Sequence, residues 1–373
     1  MKIKFKYNLN IIVINLIFLG VFLSAIEIFL GKYFAFSPAY SVPEAQIDLT
    51  KIYDTRKLEY PRAIPSSIYS RDKNGYRPYD EDLSENGIIL TVGGSTTDQR
   101  FIDDERTWQR FLEKEISLSV INGGVDGQSS YGHIVAINKW HSISLNNKNI
   151  KSVIFYVGVN DVRFSKSLDA AIGNIYDSPT KIRRLRTFFA RRSFLYSRIR
   201  DAKIKFNYLI GRPSITANGA FQIWHRLINP NFLNQPYKAL NIMSSNDEIR
   251  PYEELFSNLL LETSDKFRNA TINVVQQQAP ICAIKRLEDW FIYLRVAKDE
   301  SLKNINIDEY CVALASIYKA QEKVIKKLGK ENINLVKMYI DNPVPDDGFY
   351  DGFHTNSKGS LSIAKYLKRK LKI

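Results

Sequence analysis

Apolar and polar positions at the start of the chain fall in separate blocks. Lys2, Lys4 and Lys6 precede a run from Leu9 to Leu30 whose apolar character is broken only by Asn10, Asn15, Ser24 and Glu27. At 1.5 Å per residue such a run reaches about 33 Å, enough to cross a hydrocarbon core of about 30 Å. The pattern predicts a transmembrane signal-anchor over residues 9–30, behind a basic cytoplasmic tail at residues 1–8. Lysines before the run and few after it place the rest of the chain outside the cytoplasm, periplasmic or extracellular. Cleavage as a signal peptide is the competing outcome, although Leu23 and Ala25 make a poor small-residue site. Glu27 sits near the outer end, within reach of the headgroups.

Residues 31–86 carry Pro38, Pro43, Pro61, Pro65 and Pro78 with no sustained period. They read as a stalk or wrapping segment, and their tyrosines suggest that it lies against the domain formed by the rest of the chain. From residue 87 short apolar runs alternate with helical patterns. Gly87–Thr91, Leu118–Ile121, Ser152–Val157, Thr271–Val275 and Ile333–Ile340 are short and rich in β-branched residues, as buried strands are. Between them, residues 108, 111, 112 and 116 mark one helix, and Tyr131–Leu145 and Ile307–Leu328 two more; a last helix starts at Ser357. This order predicts a parallel sheet with helices on both faces. One domain over residues 87–373 is expected, with a helical insertion at 162–269.

Charge changes the picture in one place. The chain holds 53 Lys and Arg against 39 Asp and Glu, a net charge of +14, which calls for an acidic partner. Between Asp161 and Arg212 the balance is 13 basic to 4 acidic residues, so the insertion carries much of the excess. Export argues against nucleic acid as the partner; anionic lipid and acidic glycan remain as alternatives. An apolar fraction of 45% excludes general disorder. Cys282 and Cys311, without histidines nearby, make no metal signature; a disulfide and two buried thiols are both open.

Candidate chemistry gathers where the predicted strands end. Ser95 follows Val92-Gly93-Gly94, Asn122–Gly127 follows the second strand, Gly158-Val159-Asn160-Asp161 the third, and Asp351-Gly352-Phe353-His354 the last. The carboxyl ends of a doubly wound sheet share one edge, so these four stretches can converge. Ser95 is the nucleophile candidate, with glycines clearing its approach. A serine hydroxyl needs a base within hydrogen-bond reach. His354 is the best base among His133, His141, His225 and His354, and Asp351 three residues earlier can orient its ring. Donors for a developing oxyanion are the amides of Ser95 and Gly127 and the side chain of Asn160.

In order and content the four stretches resemble the conserved blocks of the SGNH (GDSL-like) hydrolase superfamily. Gly93-Gly94-Ser95 matches its nucleophile block, with Gly94 where many members have Asp. Asn122–Gly127 matches the glycine block, Gly158-Val159-Asn160 the Gly-x-Asn block, and Asp351–His354 the last, with Gly359 and Ile363-Ala364 beyond it. The resemblance implies a three-layer α/β/α flavodoxin-like fold and catalytic roles for Ser95, His354, Asp351, Gly127 and Asn160. It implies no metal or organic cofactor. It further implies an esterase acting on O-acyl, most of all O-acetyl, groups of cell-surface or extracellular polysaccharide. An O-acyltransferase with a glycan acceptor, and a non-catalytic membrane-anchored glycan-binding or assembly protein, are the alternatives.

Overall fold

The computed structural model describes residues 2–54, 66–165, 180–209, 246–279, 307–349 and 353–371. They group into two compact units, residues 37–179 with 215–373, and residues 1–36 with 180–214. In chain order the elements are α1 (Lys2–Leu30), β1 (Leu49–Asp54), β2 (Ser66–Arg71), β3 (Ile88–Gly93), α2 (Trp108–Ile116), β4 (Ser119–Asn122), α3 (Ser130–Ala136) and β5 (Ile150–Val157). Next along the chain come α4 (Lys181–Arg192), α5 (Phe194–Leu209), α6 (Asn246–Lys266), β6 (Thr271–Gln276), α7 (Ile307–Leu328), β7 (Ile333–Val336) and α8 (Ser357–Lys370).

The larger unit is an α/β domain of flavodoxin-like order. Its five-stranded sheet runs β4-β3-β5-β6-β7, every neighbouring pair parallel. Side chains alternate along each strand between two cores. Leu90, Val92, Val153 and Phe155 face the layer that holds Tyr252 and Phe256 of α6 and Leu314 and Ile317 of α7. Ile89, Ile154 and Tyr156 face the layer that holds Trp108 and Leu112 of α2 and Ile363 and Leu367 of α8. Burial on both faces is why the strands read as unbroken apolar runs.

Four features differ from the sequence pattern. Residues 246–266, counted with the insertion, form α6, whose Tyr252, Phe256, Leu259 and Leu260 are fully buried in the domain core. The run Ile333–Ile340 ends as a strand at Val336, because Met338–Asp341 turns into a helical hook closed by Asn342 at φ +46°. The helix expected at Tyr131–Leu145 is α3 extended through a π-helical stretch at Ile137–His141 and a final turn at Ser142–Ser144. One residue too many per turn rotates Trp140 onto Tyr76, where the rings stack 5.1 Å apart. Residues 49–54 and 66–71 of the proline-rich segment pair as an antiparallel hairpin, and Tyr53, Tyr69 and Tyr76 are buried in the domain.

The smaller unit joins α1 to α4 and α5. Ile11–Leu30 is apolar and long enough to cross a membrane, with a mean hydropathy of 2.6. Glu27 accepts a hydrogen bond from the Leu195 amide at 2.9 Å, in the first turn of α5, and another from the Tyr33 hydroxyl. A carboxylate there meets the positive end of the helix dipole. The Lys32 amide donates to the Arg192 carbonyl at 2.7 Å, closing the same junction.

Candidate active site

The sheet order reverses direction between β3 and β5, and the crevice beyond the strand ends at such a switch is where α/β sheets hold ligands. β3 delivers Ser95 to that point. The chain leaves the strand through Gly93-Gly94 and enters a helical turn, Ser95–Asp98, that Gly94 caps. Thr96, Thr97 and Asp98 are buried, whereas Ser95 is half-exposed. Its Oγ lies 2.8 Å from Nε2 of His354. Residues 95 and 354 therefore meet across the whole sheet edge.

The neighbouring strand ends carry the two other donor candidates, Gly127 and Asn160. Gly127 takes a φ of +73°, a left-handed conformation that favours glycine, in the turn after β4. Asn160 follows β5, and its Nδ2 donates to the Gln128 carbonyl at 2.9 Å. An amide nitrogen carries two protons, so one fixes the side chain and a second is left for an anion. The same nitrogen lies close to Gly94: a Cβ built there would stand 2.1 Å from Asn160 Nδ2, so any larger residue requires that amide to shift. Ser95, Gly127, Asn160 and His354 are all half-exposed within a buried surround. Asp351 and Gly352 lie outside the described residues, as do His225 and Cys282.

The other two histidines are core residues. His133 on α3 is buried without a well-formed hydrogen bond to its ring, and burial, opposed by the Gly93 backbone, pulls its pKa down to about 3. His141 meets the Tyr76 hydroxyl at 3.1 Å and stacks on Trp140. Burial, with His133 and Arg71 adding repulsion, takes its pKa to about 3 as well. Both rings are neutral at physiological pH and sit in the shell behind the site.

Several supporting residues escape a motif-based reading. Gln277 at the end of β6 donates to the Thr96 hydroxyl and, at 3.0 Å, to the Tyr156 carbonyl; its Oε1 accepts from the Val159 amide. Gln278 binds both backbone groups of Val344 at 2.8 and 3.0 Å, pinning the loop that leads toward His354. Gln99 reaches Thr355 and Ser360 at 3.1 and 2.7 Å and so ties the serine turn to the start of α8. The sequence did hold one sign: three glutamines in succession, Gln276–Gln278, end an apolar strand. Such a run is buried here and must be satisfied.

A buried ionic network underpins the serine turn. Asp98 receives Arg71 and, at 2.9 Å, the Tyr69 hydroxyl. Arg71 also donates to the Asn122 and Gly124 carbonyls, both at 2.9 Å, locking the glycine block to β2. Burial pushes the Asp98 carboxyl upward, but Arg71, Arg100 and Arg77 overcome it and hold the group below the usual carboxylate range. Arg77 spans the Asp98, Gln99 and Ile102 carbonyls and Asp104. Asp161, next to Asn160, is buried and accepts from the Ser130 amide and hydroxyl at 2.8 and 2.9 Å. Burial raises its pKa to about 6 against those hydrogen bonds.

No family model matches the sequence, and no curated protein resembles it closely enough to count as a relative. Solved structures align with the chain at low identity and low TM-score. A structure described as a GDSL-like lipase from Bacteroides ovatus aligns at a TM-score of 0.36 and 14% identity, over 76% of this chain and about half (52%) of that one. TesA aligns at 0.38 and 13%, over 76% and 98%. A family 3 carbohydrate esterase from Clostridium thermocellum aligns at 0.31 and 16%, over 75% and 93%. Likenesses of this size do not bear on what the chain acts on; the site's own geometry must do that.

Proposed function

We propose that this chain is an SGNH-type serine esterase, anchored in a membrane by α1, that removes small acyl groups from an extracytoplasmic polysaccharide. The observation that carries the reading is the 2.8 Å approach of His354 Nε2 to Ser95 Oγ at the switch point of the sheet. That contact lies beside a left-handed glycine and an anchored asparagine amide, as a carbonyl-attacking serine requires.

In the proposed reaction His354 takes the Ser95 proton as Oγ attacks the ester carbonyl. The oxyanion is received by the Ser95 and Gly127 amides and the second proton of Asn160 Nδ2. Collapse transfers the proton from His354 to the leaving sugar oxygen and leaves the acyl group on Ser95. A water, deprotonated by His354, then releases the carboxylate and restores the serine. Asp351 is assigned to holding the His354 ring in its productive tautomer. Acetyl is the proposed acyl group, a choice that rests on the family resemblance and the expected location.

The test is labelling with a serine-directed fluorophosphonate, followed by acetate release from an O-acetylated polysaccharide and from matched longer-chain esters. Modification at Ser95 and preference for acetyl are expected. An unmodified Ser95 in the folded protein would overturn the nucleophile assignment. Preference for chains of eight or more carbons would shift the substrate to lipid.

A further inference from the structure

Among the described residues, helices α4 and α5 form a hairpin in which no side chain is buried. None of the residues of α4 is buried. Ile182, Leu185 and Phe189 fall at i, i+3 and i+7 of α4, one face of a helix, and Ile182 is 81% and Leu185 59% exposed. In α5 the sequence places Leu195, Ile199, Ala202 and Phe206 in a similar stripe, with Ile199 70% and Phe206 60% exposed. Interleaved with these stripes, residues 180–209 carry ten Lys and Arg against Asp201 alone.

The hairpin is joined to one end of the apolar helix. Glu27, three residues from the end of α1, accepts from the first turn of α5, and Lys32 donates to the last carbonyl of α4. Tyr33 lies against Phe188, with ring centroids 6.3 Å apart. Around that junction Phe29, Phe34 and Phe36 are all more than four-fifths exposed, adding apolar side chains of the kind that interfacial helices bury. The single acidic side chain of the apolar run is thus engaged by the hairpin.

We infer that α4 and α5 lie in the interface of the bilayer that α1 crosses, apolar stripes among the acyl chains and basic side chains on anionic headgroups. This rests on reading α1 as a membrane anchor and goes beyond the esterase assignment. An acidic polysaccharide would match the charge but offer nothing to Ile182, Leu185, Ile199 and Phe206. A leaflet containing acidic lipid answers both features at once, and the apolar face of such helices sinks about 5–10 Å into it.

The experiment uses the full chain in nanodiscs of phosphatidylcholine, with or without phosphatidylglycerol, whose acyl chains are brominated near the headgroup or near the methyl end. Single reporters Phe18→Trp, Phe189→Trp and Ile199→Trp are made in, and compared with, a parent carrying Trp224→Phe and Trp290→Phe, whose remaining Trp108 and Trp140 are fully buried. Phe189→Trp and Ile199→Trp should be quenched by the shallow bromines, and Phe18→Trp by the deep ones. Adding Arg183→Gln, Arg184→Gln and Arg186→Gln should weaken the shallow quenching several-fold, as should omitting phosphatidylglycerol. Quenching of Phe18→Trp alone would overturn the interfacial hairpin and leave the anchor standing. Quenching of none of the three would overturn both. Protection of the hairpin reporters from aqueous acrylamide by alginate, without quenching by lipid, would assign the surface to an acidic glycan instead.

Discussion

The crevice at the strand ends and the α4–α5 hairpin handle charge in opposite ways. Around Ser95 the charged side chains Asp98, Arg71, Arg77 and Asp161 are buried and hydrogen-bonded within the fold. Asp98 is held by Arg71 and Tyr69, Arg77 by Asp104 and three carbonyls, and Asp161 by Ser130. The hairpin carries its charges on the outside, beside exposed apolar side chains. Buried polar groups must find partners within the fold, and a fully matched set holds one geometry. An amphipathic surface finds its partner outside the fold. Substitutions should therefore be severe and specific in the first region, and mild for stability in the second.

The largest effect expected is loss of ester turnover in Ser95→Ala, by roughly 10⁴-fold or more. His354→Ala should cost nearly as much and the double variant little more, because the two act as one unit. Independent, multiplicative losses in steady-state kinetics would break that unit apart.

Next comes the buried network. Arg71→Met leaves Asp98 ionised without its main partner, a change that typically costs about 3–5 kcal/mol. Urea denaturation should show that loss, and restoring neutrality with Asp98→Asn in the same chain should recover part of it. A loss below about 1 kcal/mol would mean that the network is not what holds the serine turn.

Under the proposed mechanism, in which its second proton meets an anion present only in the transition state, Asn160→Ala should lower kcat by roughly a hundredfold, about 3 kcal/mol, with KM little changed. Gly94→Ala should reproduce part of the effect by displacing the Asn160 amide. A rise in KM at constant kcat would assign Asn160 to substrate binding.

Asp161 gives a pH signature. Its folded pKa, raised by burial to about 6, lies above the unfolded value. The stability it contributes is therefore fully present below about pH 4 and lost as pH rises through 6. Relative to Asp161→Asn, the parent should lose up to about 3 kcal/mol between those limits in urea titrations. A difference that is flat with pH would show that folding does not shift the Asp161 pKa.

The smallest effect belongs to the hairpin. In detergent, Ile182→Ser should change the melting free energy by less than about 0.5 kcal/mol, since the side chain leaves no core contact behind. A larger loss would erase the contrast between the two regions.

What the chain determined alone was order. Short β-branched runs alternating with 3.6-period patterns imply a parallel sheet, and polar clusters at successive strand ends imply one shared edge, because side-chain periodicity and strand direction are local properties. The meeting of Ser95 with His354 was legible on that account. The apolar run at residues 9–30 was legible from length and composition, and the basic excess from counting. Only the tertiary structure decided what buried the remainder. Gln99, Gln277 and Arg71 read as ordinary polar residues until their partners, 256, 181 and 27 positions away, are known. Residues 246–266 looked like more of the insertion, since Pro251 and a polar start hide the face that packs into the core. Gly94 reads as a departure from the family pattern, and only the structure shows that the Asn160 amide stands 2.1 Å from where its Cβ would be. Contacts between distant positions leave no periodicity in the chain, and it is those contacts that set the geometry around Ser95.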